Sequence, residues 1–483
     1  MSFTSLPYLL FLAVTAFLCY KLQPKARNVL LLIANFLFYV IYGIEHVPFL
    51  IAATLLTYLA ALLIEREALG RRRLWLVLAL CLNLGMLFAF KYLGFFAQLS
   101  QRLLSLLNIS VSVPALQWIL PVGISFYVFQ TTGYLIDVYR KKLPAEKSLI
   151  DFALFASFFP ALVSGPIQRA TDMLPQYKSA NTFHYDNIKS GALQFLWGAF
   201  KKMVIADRLA VLVNTAYAQP SDFSGFQLLV AALCYSIQIY CDFSAYSDMA
   251  IGSARIMGFK LMTNFKSPYF SASMQEFWRR WHISLSSWFR DYLYFPLGGN
   301  RKGKWRGYLN IIIVFLVSGL WHGAALTFIV WGLLHGLLQV LGKILEPLRS
   351  AVKRGLHISE DSRVFHVCKV LFTFLLVTFT WIFFRADSLT EALFVIKSIA
   401  CSAFVYAPIS ALGLPCAELF VLLVCTVALF VADHAQNKFN LAKRINDSYL
   451  PRGAVYFVLL AAILLFGHYG AGFDPMDFVY FKF

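Results

Sequence analysis

Residues 318–336 read SGLWHGAALTFIVWGLLHG. No Asp, Glu, Lys or Arg interrupts the stretch, and its one ionisable residue before the second turn of the pattern is His322, set between Trp321 and Gly323. A surface helix of a soluble protein shows a polar face, and this segment has none. Its solvent is therefore lipid or the interior of a helical bundle. Ser318, Gly319, Gly323 and Ala324 let two backbones approach closely. An ionisable group at membrane depth is costly and marks a functional position. An imidazole with an ordinary pKa of about 6.5 is suited to take a proton near neutral pH. A histidine hydrogen-bonded between helices fits the same residues, and the stretch alone leaves both readings open. His335 reads as a helix-face residue.

The rest of the chain agrees with a lipid solvent. Of its 483 residues 60% are hydrophobic and 14% charged, against about 25% charged in a soluble domain, and the mean hydropathy is +0.68. The expected fold class is all-α: one integral membrane domain over 1–483 with 11–13 spans. Apolar runs of near membrane length fall at 2–20, 28–43, 48–64, 74–90, 118–137, 190–212, 225–243, 307–320, 325–342, 366–384, 418–433 and 453–470. The first lysine or arginine is Lys21, after the first run. A signal peptide carries its charge before the run, so a retained helix is expected. Residues 149–165 contain Pro160, Gly165 and Pro166 and read as a re-entrant segment, which needs protein partners for its backbone.

The net charge is +18, but the cations sit in loops between apolar runs, which argues against nucleic acid. Basic loops (21–27, 65–73, 140–147, 254–306, 343–365, 434–452) alternate with poor ones (44–47, 92–117, 213–224, 385–417). By the positive-inside rule both termini are expected outside the cytoplasm of a bacterial inner membrane. The eight cysteines show no CxxC pair or zinc spacing, so no metal site is expected. A GxxxxGK[ST] loop is absent, which argues against an ATP-driven pump.

Two further stretches are dense in polar groups. Residues 273–301, SMQEFWRRWHISLSSWFRDYLYFPLGGNR, hold His282 and a Trp278, Arg279, Arg280, Trp281 cluster. Guanidinium and indole groups together are suited to grip phosphate and stack on a purine; an interfacial amphipathic helix is the competing reading. Residues 235–252, YSIQIYCDFSAYSDMAIG, place Asp242, Ser244, Ser247 and Asp248 at the end of an apolar run, where helix capping and loop entry are the expectation and a cation site or polar cavity the competing reading.

Six stretches taken in order, PVGISFYVFQTTGYLIDVYR (121–140), FFPALVSGPIQR (158–169), GAFKKMVIADRLA (198–210), IQIYCDFSAYSDMAIG (237–252), EFWRRWHISLSSWFRDYLYFPLGGNR (276–301) and SGLWHGA (318–324), resemble the membrane-bound O-acyltransferase family. The likeness is to its bacterial branch, which includes alginate and peptidoglycan O-acetyltransferases and the teichoic acid D-alanyl transferase. It is clearest from about residue 120, with core motifs over 120–345. The resemblance implies a helical ring with cavities reaching in from both faces. It makes His322 the active-site histidine and His282 the second histidine; Trp278, Arg279, Arg280, Trp281, Trp321 and Asn300 are the substrate-binding candidates. No bound cofactor is implied. The resemblance implies acetyl-CoA from the cytoplasm as donor substrate, as in the acetylating members, or an aminoacyl carrier protein as in the teichoic acid member, and as partner an extracytoplasmic SGNH-hydrolase-like acetyltransferase acting on a cell-surface polysaccharide, with membrane lipid around the enzyme.

The chain ends in FVYFKF at 478–483, which resembles a terminal motif of these systems whose tyrosine takes the acyl group first. Tyr480 carries the only hydroxyl of the six, and a phenol is a better leaving group than an alkanol. A purely aromatic anchor is the alternative. The function expected is thus O-acetylation of peptidoglycan, alginate or another exopolysaccharide by acetyl exported through Tyr480. D-alanyl transfer from a carrier protein, a transporter and a non-enzymatic scaffold are the alternatives.

Overall fold

A computed structural model describes the chain except residues 107–118, 356, 358, 360–361, 470–477 and 479–483. Among the described residues there are helices and no strands, as a bilayer demands of backbone that must satisfy itself. Seven helical stretches are long and apolar enough to cross a membrane: Ile44–Arg66, Gly70–Leu106, Gly225–Ile256, Leu326–Ile344, Arg363–Arg385, Cys416–Phe439 and Tyr449–Phe466. The other runs read as spans are also helical, among them Leu6–Lys21, Pro24–Val40, Ile124–Tyr139 and Lys304–His322. They are 16, 17, 16 and 19 residues long, below or near the roughly 20 that span the hydrocarbon upright.

Two compact units form, one from residues 1–192 and 249–262, the other from 193–248 and 263–483. In the first, helix Val47–Arg66 packs on Leu69–Leu106 and Ile124–Tyr139. The loop expected at 92–117 is helix over 92–106, because Leu69–Leu106 continues into it; residues 107–117 lie outside the described residues. The segment read as re-entrant is a broken pair, Leu149–Ser157 and Phe159–Leu162. Its freed groups find protein partners: Asn35 accepts from the Phe159 N–H at 2.9 Å and donates to Ser157 Oγ at 3.1 Å, while Gln130 donates to the Phe155 carbonyl. Arg27, from the first basic loop, is instead fully buried and donates to the Ser179 and Tyr177 carbonyls.

The second unit contains the hairpin of helices Lys304–His322 and Leu326–Ile344. Its contact runs through glycines. A Cβ on Gly319 would lie 2.2 Å from the Phe328 carbonyl oxygen, and one on Gly332 would lie 2.3 Å from that of Phe315. Neither oxygen can yield without moving a helix. Gly332→Ala is therefore expected to cost about 1–3 kcal/mol through overpacking, seen as a lower melting temperature of the detergent-solubilised protein. An unchanged melting temperature would contradict the close approach.

Candidate active site

His322 is the last residue of helix Lys304–His322; Gly323 follows as its C-cap, its N–H bonded to the Gly319 carbonyl. The ring is buried and walled by three aromatic rings, with centroids of Trp321, Trp331 and Phe384 at 5.0, 5.0 and 5.3 Å. Trp331 comes from the second arm of the hairpin and Phe384 from helix Arg363–Arg385. Trp321 also meets His282, centroid to centroid 5.9 Å. One indole thus separates the two imidazoles.

His282 sits between the short helices Met274–Arg280 and Ile283–Phe289. Ser273 caps the first by accepting from the Glu276 N–H at 3.1 Å. The turn bends through His282 itself, whose φ of 42° and ψ of 55° are left-handed, a conformation a non-glycine residue adopts only when its surroundings hold it there. Asn264 supplies the hold. Its carbonyl accepts from the Ile283 N–H at 2.9 Å. Its Oδ1 lies 3.2 Å from His282 Nδ1 and accepts from the Ser284 N–H and Oγ at 3.2 and 3.0 Å, while its Nδ2 donates to Ser247 Oγ at 3.1 Å. An amide oxygen only accepts, so Nδ1 of His282 carries the proton and Nε2 is the ring's acceptor. Burial pushes this imidazole down to about 3, so the ring is neutral. Asn264→Ala removes an acceptor shared by three donors and is expected to destabilise the protein by about 1–3 kcal/mol, measurable by thermal melting; a shift of a few tenths of a degree would contradict this role.

Trp278 and Trp281 are buried in aromatic packing. Trp278 donates from Nε1 to His335 Nδ1 at 3.2 Å, and Trp281 packs among Phe265, Phe277 and Trp381 at 5.1, 5.4 and 5.2 Å. Arg279 is exposed; Arg280 pairs with Glu276 at 2.6 Å. Asn300 is exposed and accepts from the Tyr294 hydroxyl. Tyr480 lies outside the described residues. The structure brings His322, Trp321 and His282 together; Asn300 belongs to its own surface turn. His335 is fully engaged: its Nε2 donates to Thr380 Oγ1 at 2.9 Å, and that hydroxyl donates to the Val377 carbonyl at 2.7 Å. It is a packing residue, as its helix-face position implied.

Sequence reading missed Asn264, and it misplaced Asp242, Ser244, Ser247 and Asp248. These four lie within helix Gly225–Ile256 rather than at its end. Lys202 Nζ is 2.8 Å from Asp242 and 3.0 Å from Asp207; Lys201 Nζ is 2.6 Å from both Ser244 Oγ and Asp248. Both lysines are in the π-helical turn Lys201–Ala206. Among the described residues no group of three or more His, Cys, Asp or Glu could hold a metal ion.

A multi-pass helical membrane protein with two buried, aromatic-walled histidines is the class this fold and site define. Residues 140–386 match the model of MBOAT, the membrane-bound O-acyltransferase family. The chain is 40% identical over 385 residues to the probable alginate O-acetylase AlgI of Pseudomonas putida, covering 79% of this chain and 76% of that one. It is 37% identical over 417 residues to the peptidoglycan O-acetyltransferase of Helicobacter pylori, covering 78% and 75%. It is 29% identical over 243 residues to the teichoic acid D-alanyltransferase of Bacillus subtilis, covering 48% and 61%. The chain belongs to the membrane-bound O-acyltransferase family. It is an O-acetyltransferase.

Proposed function

We propose that the enzyme takes an acetyl group from acetyl-CoA at the cytoplasmic face of a bacterial inner membrane and passes it, through Tyr480, to an extracytoplasmic SGNH-hydrolase-like partner that O-acetylates a cell-surface polysaccharide. Alginate, peptidoglycan and other exopolysaccharides are the candidate polymers. Both termini lie outside the cytoplasm in this reading. The observation that carries it is the pairing of His322 and His282 across Trp321 inside the span that matches the family.

The chemistry balances within the site. The Tyr480 oxygen attacks the thioester carbonyl carbon while His322 takes the phenolic proton; a C–O bond forms, the C–S bond breaks, and the departing thiolate receives the proton back. Transfer from the phenyl ester to a second hydroxyl repeats the exchange and restores Tyr480. Coenzyme A never crosses the membrane. Exposed Arg279, Arg290, Arg301, Lys302, Lys304 and Arg306 provide the cationic surface for an anionic donor. Acetyl is favoured over D-alanyl because the acetylating relatives match nearly four-fifths of the chain and the D-alanylating one under half.

Inverted vesicles, with the cytoplasmic face outward, provide the test. Added acetyl-CoA should release free coenzyme A outside while labelled acetyl becomes protein-bound. A transporter would take up intact acetyl-CoA, and a scaffold would release no coenzyme A; either outcome overturns the proposal.

A further inference from the structure

The carboxyl-terminal chain is held at three places, all in the second unit. Arg208 donates to the Phe466 carbonyl, and the His468 N–H donates to the Met203 carbonyl at 3.0 Å. Phe478 is then buried, with its ring edge-on to Tyr246 at 5.2 Å and its centroid 4.3 Å from Lys202 Nζ. The ammonium is itself fixed, since Asp242 and Asp207 hold it at 2.8 and 3.0 Å. A cation that cannot move, facing a desolvated ring, selects an aromatic side chain over an aliphatic one of similar size.

The same helix connects this seat to the histidines. Phe243, on Gly225–Ile256 with Tyr246 and Asp242, lies 4.7 Å from the His282 ring. Residues three apart on a helix share a face, and one turn advances about 5.4 Å. Phe478, two residues before Tyr480 in the sequence, is thus seated on the same helix that carries Phe243 to the His282 ring.

We infer that Lys202, clamped by Asp207 and Asp242, is a positioning residue that captures the face of Phe478 and so seats the terminal motif to which Tyr480 belongs. The inference rests on the reading of Tyr480 as acyl acceptor; the docking contact itself does not. Lys202→Met would leave two buried carboxylates uncompensated and endanger folding, so the test works from the other partner. In the full-length membrane protein, p-benzoylphenylalanine at position 478 should crosslink to peptides containing 201–207 or 242–246. Crosslinks confined to other segments or to lipid would overturn the seat.

Stepwise fluorination of the Phe478 ring keeps its shape and drains its negative face. It should lower kcat progressively, about tenfold or more for the most fluorinated ring, with KM for acetyl-CoA unchanged. Phe478→Leu should fall with the fluorinated end of the series. A flat response to fluorination would overturn the role of Lys202. An active Tyr480→Phe enzyme that still gives the crosslinks would remove the acceptor while leaving the docking contact standing, so the two failures are distinguishable.

Discussion

His322→Ala is expected to lower acetyl transfer by about 10²–10⁴-fold, the usual contribution of a positioned general base, while the protein still inserts and folds. The asymmetry follows from what the ring touches. Its neighbours are the faces and edges of Trp321, Trp331 and Phe384, and the hairpin around it is closed by glycine contacts at Gly319 and Gly332 that do not involve the imidazole. His322→Gln keeps volume and hydrogen bonding but has no nitrogen that accepts a proton near neutrality, so it should be as inactive as alanine. Coenzyme A release by purified protein is the measurement. Either variant within threefold of wild type would take His322 out of the chemistry. His335 is the control: with both nitrogens engaged by Trp278 and Thr380, its loss should lower stability before it lowers turnover.

The helical class and the hairpin were legible because long uncharged runs have one physical explanation, and because glycine and serine at 318–324 announce close packing. The helix continuing past residue 92 was less so: Lys91, Gln98 and Gln101 dilute the apolar signal although the backbone stays helical to Leu106. At the site, ionisable residues could be found but not paired. Lys201 and Lys202 lie in a run read as a span, and Asp242 at the end of another with Asp248 beyond it; buried cations need acids, yet nothing local says which. Trp278 and Trp281 show the opposite limit, since a tryptophan in sequence carries no sign of which way it faces. Asn264 had no pattern around it; its importance comes from the left-handed turn at His282, which only the structure reveals.

Tyr480→Phe should stop export of acetyl while leaving acetyl-CoA binding intact. The change removes one oxygen and keeps the ring, so any anchoring by the aromatic tail survives it. No other hydroxyl lies within 478–483, so no neighbour in the motif can substitute. The ester of a phenol is labile to mild base and hydroxylamine, so samples are kept acidic. The decisive measurement is intact mass spectrometry of the C-terminal peptide after incubation with acetyl-CoA. The account predicts one added acetyl, removed by hydroxylamine and absent in both Tyr480→Phe and His322→Ala. An unmodified peptide from a protein that is turning over acetyl-CoA and acetylating its partner would contradict it, and would mean that the thioester is attacked directly by the final acceptor.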